Sequence, residues 1–240
     1  MPLQQARLAI DLGCGPGNST ELVAARYPDA RVIGLDSSND MLQQARNRLP
    51  KCEFIEADLS SWTSPEPADL LFANAVFQWV PNHLAVMKRA VEGLPEGGVF
   101  AAQMPDNTRE PSHLLMGEVA PRDHLPAPEI YYDLLKPLCR RVEIWHTIYN
   151  HVLAGPEAIV EWFRGSALRP ILAGMEDNAA EEFLAAYTQR IAGAYKPRAD
   201  GQVLLRFPRL FIIAVRQASA TLLNAHKNAA LAHHRRIRKI

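Results

Sequence analysis

Cysteine is scarce in this sequence, which has three in 240 residues, at Cys14, Cys52 and Cys139. This odd, scattered set matches neither a disulfide framework nor a metal-binding cluster, so we expect no metal site and a reducing, cytoplasmic environment. The chain also lacks an apolar run as long as a membrane span and a signal-peptide pattern. Its net charge is zero, which does not support a nucleic-acid or membrane partner. We expect a monomer with a small-molecule ligand.

A glycine-rich turn follows the first apolar run, in residues 8–20. Its three glycines occupy alternate positions from Gly13, and Asn18 precedes Glu21 by the spacing of a helix-capping pair. A dinucleotide fingerprint needs glycine where this chain has Asn18, so a dehydrogenase is the weakest alternative. The turn favours a ligand with a cationic amino-acid head, although an ordinary tight strand-to-helix turn has the same local pattern.

Acidic residues end three successive predicted strands. Asp11 closes the first strand and can orient an α-ammonium group, directly or through water. Asp36 lies about 20 residues beyond the glycines, where doubly wound nucleoside sites carry a ribose-binding carboxylate. Asp58 ends the next strand, in a position to meet an adenine amino group. The succession predicts a nucleoside site at the carboxyl edge of a parallel sheet.

Strands and helices alternate in the first half of the chain, which predicts a parallel sheet covered on both faces. The second half begins with a proline-rich loop that carries a short helix over 112–119. A strand, a helical segment and a final strand follow. The predicted strands are 8–12, 31–36, 52–58, 68–74, 99–104, 141–151 and 210–215, and the predicted helices are 19–27, 38–49 and 82–94, with helical periodicity over 156–194.

These motifs together resemble the class I S-adenosylmethionine-dependent methyltransferases. The resemblance rests on Asp11–Gly17, Asp36, Asp58 and Asn74-Ala75. It implies an α/β fold with a doubly wound, mostly parallel, Rossmann-like sheet of seven strands, the last antiparallel, and a helical cap insertion. It also implies S-adenosylmethionine as the cofactor. The residues expected to bind the cofactor are Asp11, Gly13, Cys14, Gly15, Asp36, Ser37, Asp58, Leu59, Asn74 and Ala75.

A narrower resemblance points to a member of that family that methylates a carboxylate of a small polycarboxylic acid, trans-aconitate. It rests on the segments 72–75, 78–79, 103–107, 110–113, 168–170 and 207–211. It implies that Gln78 and Trp79 lie at the level of the reacting methyl group. The expected substrate-binding residues are Arg169, Arg209, Asn107 and Tyr149, since a tricarboxylate needs cationic forks and hydrogen-bond donors.

The resemblance implies one methyltransferase domain over 1–216, with a lid loop at 105–140 and a helical cap at 156–205. Residues 217–240 form a basic tail, either a solvated end or an anchor. Met1–Arg7 is shorter than the N-terminal segment that closes over the cofactor in this family, so we expect a truncated start or a more open site. Two alternatives stay open: a methyltransferase of another substrate class, and an inactive protein that binds S-adenosylmethionine.

Overall fold

The computed structural model describes residues 2–117 and 123–218, where helices follow the strands in close alternation. The strands are β1 (Leu8–Leu12), β2 (Arg31–Asp36), β3 (Glu53–Glu56), β4 (Leu70–Asn74), β5 (Val99–Pro105), β6 (Cys139–Leu153) and β7 (Val203–Arg216). The helices are α1 (Asn18–Arg26), α2 (Asn39–Arg48), α3 (His83–Glu92), α4 (Pro111–Leu114), α5 (Pro128–Leu135), α6 (Pro156–Arg164), α7 (Arg169–Leu172) and α8 (Asp177–Ala194). The predicted α/β class is confirmed.

The strands form one seven-stranded sheet in the order β3-β2-β1-β4-β5-β7-β6. The pairs of β1 with β2, β1 with β4, and β2 with β3 are parallel. The strand β7 runs antiparallel to β5, because Arg216 pairs with Gly98 at one end and Pro208 accepts from Asp106 at the other. The mostly parallel sheet with an antiparallel last strand agrees with the resemblance. Parallel β1 and β2 bring their carboxyl ends, and so the glycine turn and Asp36, to the same edge.

The largest corrections to the predicted elements lie in the second half. The last strand begins at Val203 instead of 210, so it overlaps the predicted cap of 156–205. Pro208 lies inside this strand without an N–H to donate, but its carbonyl accepts a hydrogen bond from the Asp106 backbone N–H. Within the predicted lid of 105–140, the structure has the unpredicted helix α5, which opens with Pro128 in its first turn.

The N-caps of α1 and α2 differ. Ser38 caps α2, because its Oγ accepts from the backbone N–H of Met41. The prediction for α1 is wrong, because the N-cap is Gly17 in the left-handed conformation, with φ of 89°, and Asn18 is the first helical residue. The Asn18 side chain instead accepts a hydrogen bond from Arg48.

The chain divides into two compact units. The first comprises 1–102, 127–144 and 212–240, and the second comprises 103–126 and 145–211. The predicted lid is therefore shared between the units, and residues 127–140 belong to the first. One core of the first unit packs α1 against the sheet around Ala9, Val32 and Leu70. The core of the second packs α6 and α8 around Phe163, Tyr187 and Ile191.

Two further predictions concern the ends of the described chain. The short helix predicted over 112–119 is Pro111–Leu114, and residues 118–119 lie outside the described ranges. The predicted basic tail also lies outside them from residue 219 onward. In the part that is described, no helix is both long enough and apolar enough to cross a membrane.

Candidate functional site

The glycine turn after β1 passes through three left-handed residues, Gly13, Gly15 and Gly17, with φ of 68°, 53° and 89°. A Cβ atom on Gly13 would lie 2.3 Å from Cγ2 of Val76, so the chain has no room for a side chain there. A Cβ on Gly15 would meet open space. The turn thus leaves bare backbone accessible at Gly15 while Gly13 packs against the segment that follows β4.

Replacing Gly13 with alanine is expected to weaken cofactor binding and lower the melting temperature. Alanine at this position would have to adopt the left-handed conformation, which costs about 1 kcal/mol. Its methyl group would also collide with Val76. Calorimetric titration with S-adenosylhomocysteine and a thermal melt would measure both effects. Gly15→Ala is the matched control for the melting temperature, since it carries the same backbone strain without a collision. Equal losses of melting temperature in the two variants would contradict the packing argument.

Asp36 at the end of β2 fixes the turn and lines a cavity in the first unit. One carboxylate oxygen accepts the N–H of Gly15 at 2.9 Å, and the other accepts the N–H of Ser38 at 2.9 Å. The cavity has a volume of about 190 Å³, below the range of whole-ligand pockets, and suits part of a nucleoside ligand. The predicted site residues that line it are Gly13, Asp36, Ser37, Asp58, Leu59 and Trp79.

Asp58 lies on the exposed side of this cavity, after the end of β3. One of its oxygens accepts the N–H of Ser60 at 2.8 Å, and hydrogen bonding from Ser60 holds the pKa of Asp58 below its usual value. Asp58 therefore presents a charged acceptor, of the kind that an adenine amino group requires.

Asp11 does not line the cavity. It is fully buried behind the turn, where Oδ2 accepts hydrogen bonds from the hydroxyls of Ser19 and Thr20, both at 2.7 Å. Its Oδ1 is buried without a hydrogen-bond partner among the described residues. Direct contact with a ligand head, one of the two predicted modes, is wrong for this conformation because the carboxylate is closed off. The observed role is to hold the first turn of α1.

Burial raises the pKa of Asp11 from 3.8 to about 6, despite the two hydroxyl bonds. The folded protein thus binds this proton more tightly than the unfolded chain does. Its contribution to the free energy of unfolding is greatest below pH 4 and falls as the pH rises through 4–6. We expect this contribution to change by about 3 kcal/mol. Denaturant unfolding of wild-type and Asp11→Asn protein from pH 4 to 7 would measure it, and parallel pH curves would contradict it.

Cys14 is also buried in the turn, where its backbone N–H donates to the Leu35 carbonyl at 2.9 Å. Burial and the nearby carboxylates of Asp11 and Asp36 raise its pKa to about 12. The thiol therefore stays protonated and serves as a small packing group. The predicted contact of Cys14 with the cofactor remains a prediction for its backbone.

The end of β4 and the segment after it carry four of the predicted site residues, Asn74, Ala75, Gln78 and Trp79. Asn74 is exposed at the strand end, and Ala75 has the left-handed φ of 58°, which is uncommon for a residue with a side chain. The Gln78 amide donates to the Ala75 carbonyl and holds this bend. Trp79 is 46% exposed, so it is a cavity wall and not a core residue.

Arg209 is the most distinctive cation of the second unit. Its guanidinium lies over the ring of Phe207, 4.9 Å from the centroid, and 5.8 Å from that of Tyr149. It donates one hydrogen bond to Oε1 of Gln103, at 2.9 Å. Burial lowers the pKa of Arg209 from its usual value. Two predicted substrate residues, Arg209 and Tyr149, are therefore brought together by β7 and β6.

The other two predicted substrate residues, Arg169 and Asn107, do not belong to the pair formed by Arg209 and Tyr149. Arg169 is exposed at the start of α7, and within the described ranges its side chain forms no ion pair. Asn107 is buried after β5 and is only 2% exposed. Their substrate roles remain predictions without support from this geometry.

Gln103 and His151 complete the Arg209 cluster, and His151 was missed from the sequence. The His151 ring lies 5.8 Å from Tyr149, 4.6 Å from Trp162 and 5.9 Å from Phe207, centroid to centroid. A signal existed, because His151 is two residues after Tyr149, and alternate residues of a strand share a face. Gln103 was part of the predicted segment 103–107 without a role of its own.

Comparisons with known proteins agree with these features. The profile of a family described as a methyltransferase domain matches residues 9–98, which contain the glycine turn and the Asp36 cavity. The chain is 55% identical to a protein of Rhodopseudomonas palustris strain BisB5 that is named trans-aconitate 2-methyltransferase, over 90% of both chains. It is 49% identical to a protein of the same name from Agrobacterium fabrum, again over 90% of both chains.

Solved structures support the fold alone. Phosphoethanolamine N-methyltransferase 2 of Haemonchus contortus, bound to S-adenosylhomocysteine, superposes with a TM-score of 0.57 at 18% identity, over 90% of this chain and 50% of that one. The YcgJ protein of Bacillus subtilis superposes with a TM-score of 0.58 at 13% identity, over 89% and 93% of the two chains.

Proposed function

Because this chain belongs to the trans-aconitate 2-methyltransferase family, we propose that it methylates a carboxylate of trans-aconitate from S-adenosylmethionine. The observation that carries the proposal is identity above half of all positions over 90% of the chain. Arg209 lies over an aromatic ring and has no carboxylate partner in the described ranges, and this supports an acidic substrate.

The residues of the first unit fit this cofactor. Gly15 leaves bare backbone for its amino-acid head, Gly13 lines the cavity, and Asp36 can accept from the ribose hydroxyls at the cavity wall. Asp58 offers an acceptor for the adenine amino group. The orphaned Oδ1 of buried Asp11 keeps negative charge behind the turn, which favours a cationic head there.

The proposed reaction requires the protein mainly to position the acid and the cofactor. When bound, S-adenosylmethionine supplies a sulfonium methyl group, which an attacking carboxylate oxygen takes while the sulfur leaves as a neutral thioether. Carboxylates have a reference pKa near ~4 and are ionised at neutral pH, so no general base is required. In this account the residues bind, orient and desolvate the acid.

A labelled-methyl screen tests the proposed reaction class. Purified protein is incubated with methyl-labelled S-adenosylmethionine and a panel of polycarboxylic acids, amines and phenols. We expect label in an alkali-labile product with trans-aconitate and little label with amines or phenols. Label on an amine or phenol would assign another substrate class. Binding of S-adenosylhomocysteine without transfer to any acceptor would indicate an inactive relative.

The organisation of the chain belongs to the same proposal. We propose that residues 1–216 act as one methyltransferase domain, with insertions between β5 and α5 and between β6 and β7. The protein would act as a monomer in the cytoplasm on a small acid. Three free cysteines, two of them buried, are consistent with a reducing compartment. Analytical ultracentrifugation with and without trans-aconitate would test the monomer.

A further inference from the structure

Arg209 is a partly buried charge with no acidic partner in the described part of the chain. Among residues 2–117 and 123–218 it forms no ion pair, and its guanidinium donates to the neutral Gln103 amide. Aromatic rings lie on it from Phe207 and Tyr149. A desolvated guanidinium is ordinarily matched by an anion, so the remaining N–H groups of Arg209 indicate an anionic ligand.

The amide of Gln103 has a second, unused polar atom. Gln103 is only 6% exposed on β5, and its Nε2 has no hydrogen-bond partner among the described residues. Because Oε1 already accepts from Arg209, the amide orientation is fixed and Nε2 must carry the two donor hydrogens. A buried amide donor next to an arginine that has no ion pair in residues 2–117 and 123–218 needs an acceptor.

His151 supplies another unpartnered nitrogen in the same cluster. Its Nε2 is buried without a partner in the described ranges, and its ring packs among Tyr149, Trp162 and Phe207. Burial and the charge of Arg209 lower the pKa of His151, so the imidazole is neutral near pH 7. A neutral imidazole donates one hydrogen bond and does not add a second cation.

We propose that Gln103, His151 and Arg209 form a carboxylate-anchoring site in the second unit, with the two neutral side chains as donors that determine specificity. The inference rests on the proposed function for the identity of the acid. The expected ligand group is a carboxylate, because its two oxygens have enough lone pairs to accept from one guanidinium fork and two neutral donors.

The anchored carboxylate is not the one that is methylated. Oxygens that accept from a guanidinium and two further donors have their lone pairs engaged, which makes them poor nucleophiles. The substrate must then have a second carboxylate for the reaction. We therefore expect trans-aconitate to be methylated and crotonate, an unsaturated acid with a single carboxylate, to be a very poor substrate.

The test compares Gln103→Leu and His151→Phe with wild type. Loss of one neutral donor is expected to raise the KM for trans-aconitate about tenfold and to leave kcat within about threefold. Calorimetric titration of trans-aconitate into protein saturated with S-adenosylhomocysteine gives a second readout, with the same rise in Kd. His146→Phe is the matched control, because His146 is also on β6 but pairs with Asp106.

A third variant, Gln103→Glu, distinguishes a loss of substrate binding from a loss of folding. It places an acid beside Arg209, so we expect at least 100-fold weaker trans-aconitate binding with no fall in melting temperature. Unchanged affinity in Gln103→Leu, His151→Phe and Gln103→Glu would overturn the anchoring site, and so would efficient methylation of crotonate. If wild type forms no ester, the proposed function fails, and trans-aconitate binding then decides the anchoring site on its own.

Discussion

Replacing Arg209 with methionine is expected to lower kcat/KM for trans-aconitate by roughly 100- to 1,000-fold. The variant removes a fork of charge-assisted hydrogen bonds to the substrate, a loss of about 3–4 kcal/mol. The Met side chain keeps apolar contact with Phe207, over which the guanidinium lies at 4.9 Å. Steady-state kinetics with saturating S-adenosylmethionine would measure the effect.

The stability of the same variant separates binding from folding. Arg209 forms no ion pair in the described ranges, and replacing a partly desolvated, unpaired charge costs little or stabilises. The melting temperature should therefore be unchanged or higher, and affinity for S-adenosylhomocysteine should be unaffected. Arg209→Lys keeps the charge without the fork, so an intermediate loss is expected. Arg164→Met is the control, because Arg164 is an exposed arginine paired with Glu161. An unstable Arg209→Met with normal kinetic constants would contradict this account.

Replacing Asp36 with alanine is expected to weaken binding of S-adenosylhomocysteine about 100-fold. The carboxylate accepts the backbone N–H groups of Gly15 and Ser38, both at 2.9 Å, and also faces the cavity. Loss of these charge-assisted bonds, about 1.5–3 kcal/mol each, releases the turn and removes the ribose acceptor. Calorimetry measures the affinity, and a thermal melt measures the accompanying loss of stability.

Asp40→Ala is the matched control for that experiment. Asp40 is exposed in the first turn of α2, four residues from Asp36 in sequence. We expect its affinity to match wild type. If Asp36→Ala also binds like wild type, the cavity beside Asp36 is not the nucleoside site.

The sequence was most informative where the chemistry is local. The glycine turn, Asp36 and Ser38 are close in sequence or follow a strand end, and spacing therefore predicted the turn and the strand-terminal acid. Local patterns also placed the first five strands and three helices correctly to within a few residues. The Gly17 cap was missed because Asn18 and Glu21 resemble a capping pair, and the left-handed turn shifts the helix start by one residue.

The rest depended on contacts between distant residues. Gln103 and Arg209 are 106 positions apart, and only the antiparallel pairing of β5 with β7 brings them within a hydrogen bond. The burial of Asp11 depends on two hydroxyls of α1, which no strand-end pattern specifies. The predicted last strand was too short at its start, where β7 continues through Pro208 because the carbonyl of this residue still joins the sheet.

The most direct test of methyl transfer to a carboxylate uses trideuteromethyl-labelled S-adenosylmethionine with trans-aconitate. Mass spectrometry should show a monoester that carries one CD₃ group, and alkaline hydrolysis should release that group as CD₃OH and regenerate trans-aconitate. A product that keeps CD₃ after alkaline hydrolysis, or a failure of wild-type protein to label trans-aconitate, would contradict the account.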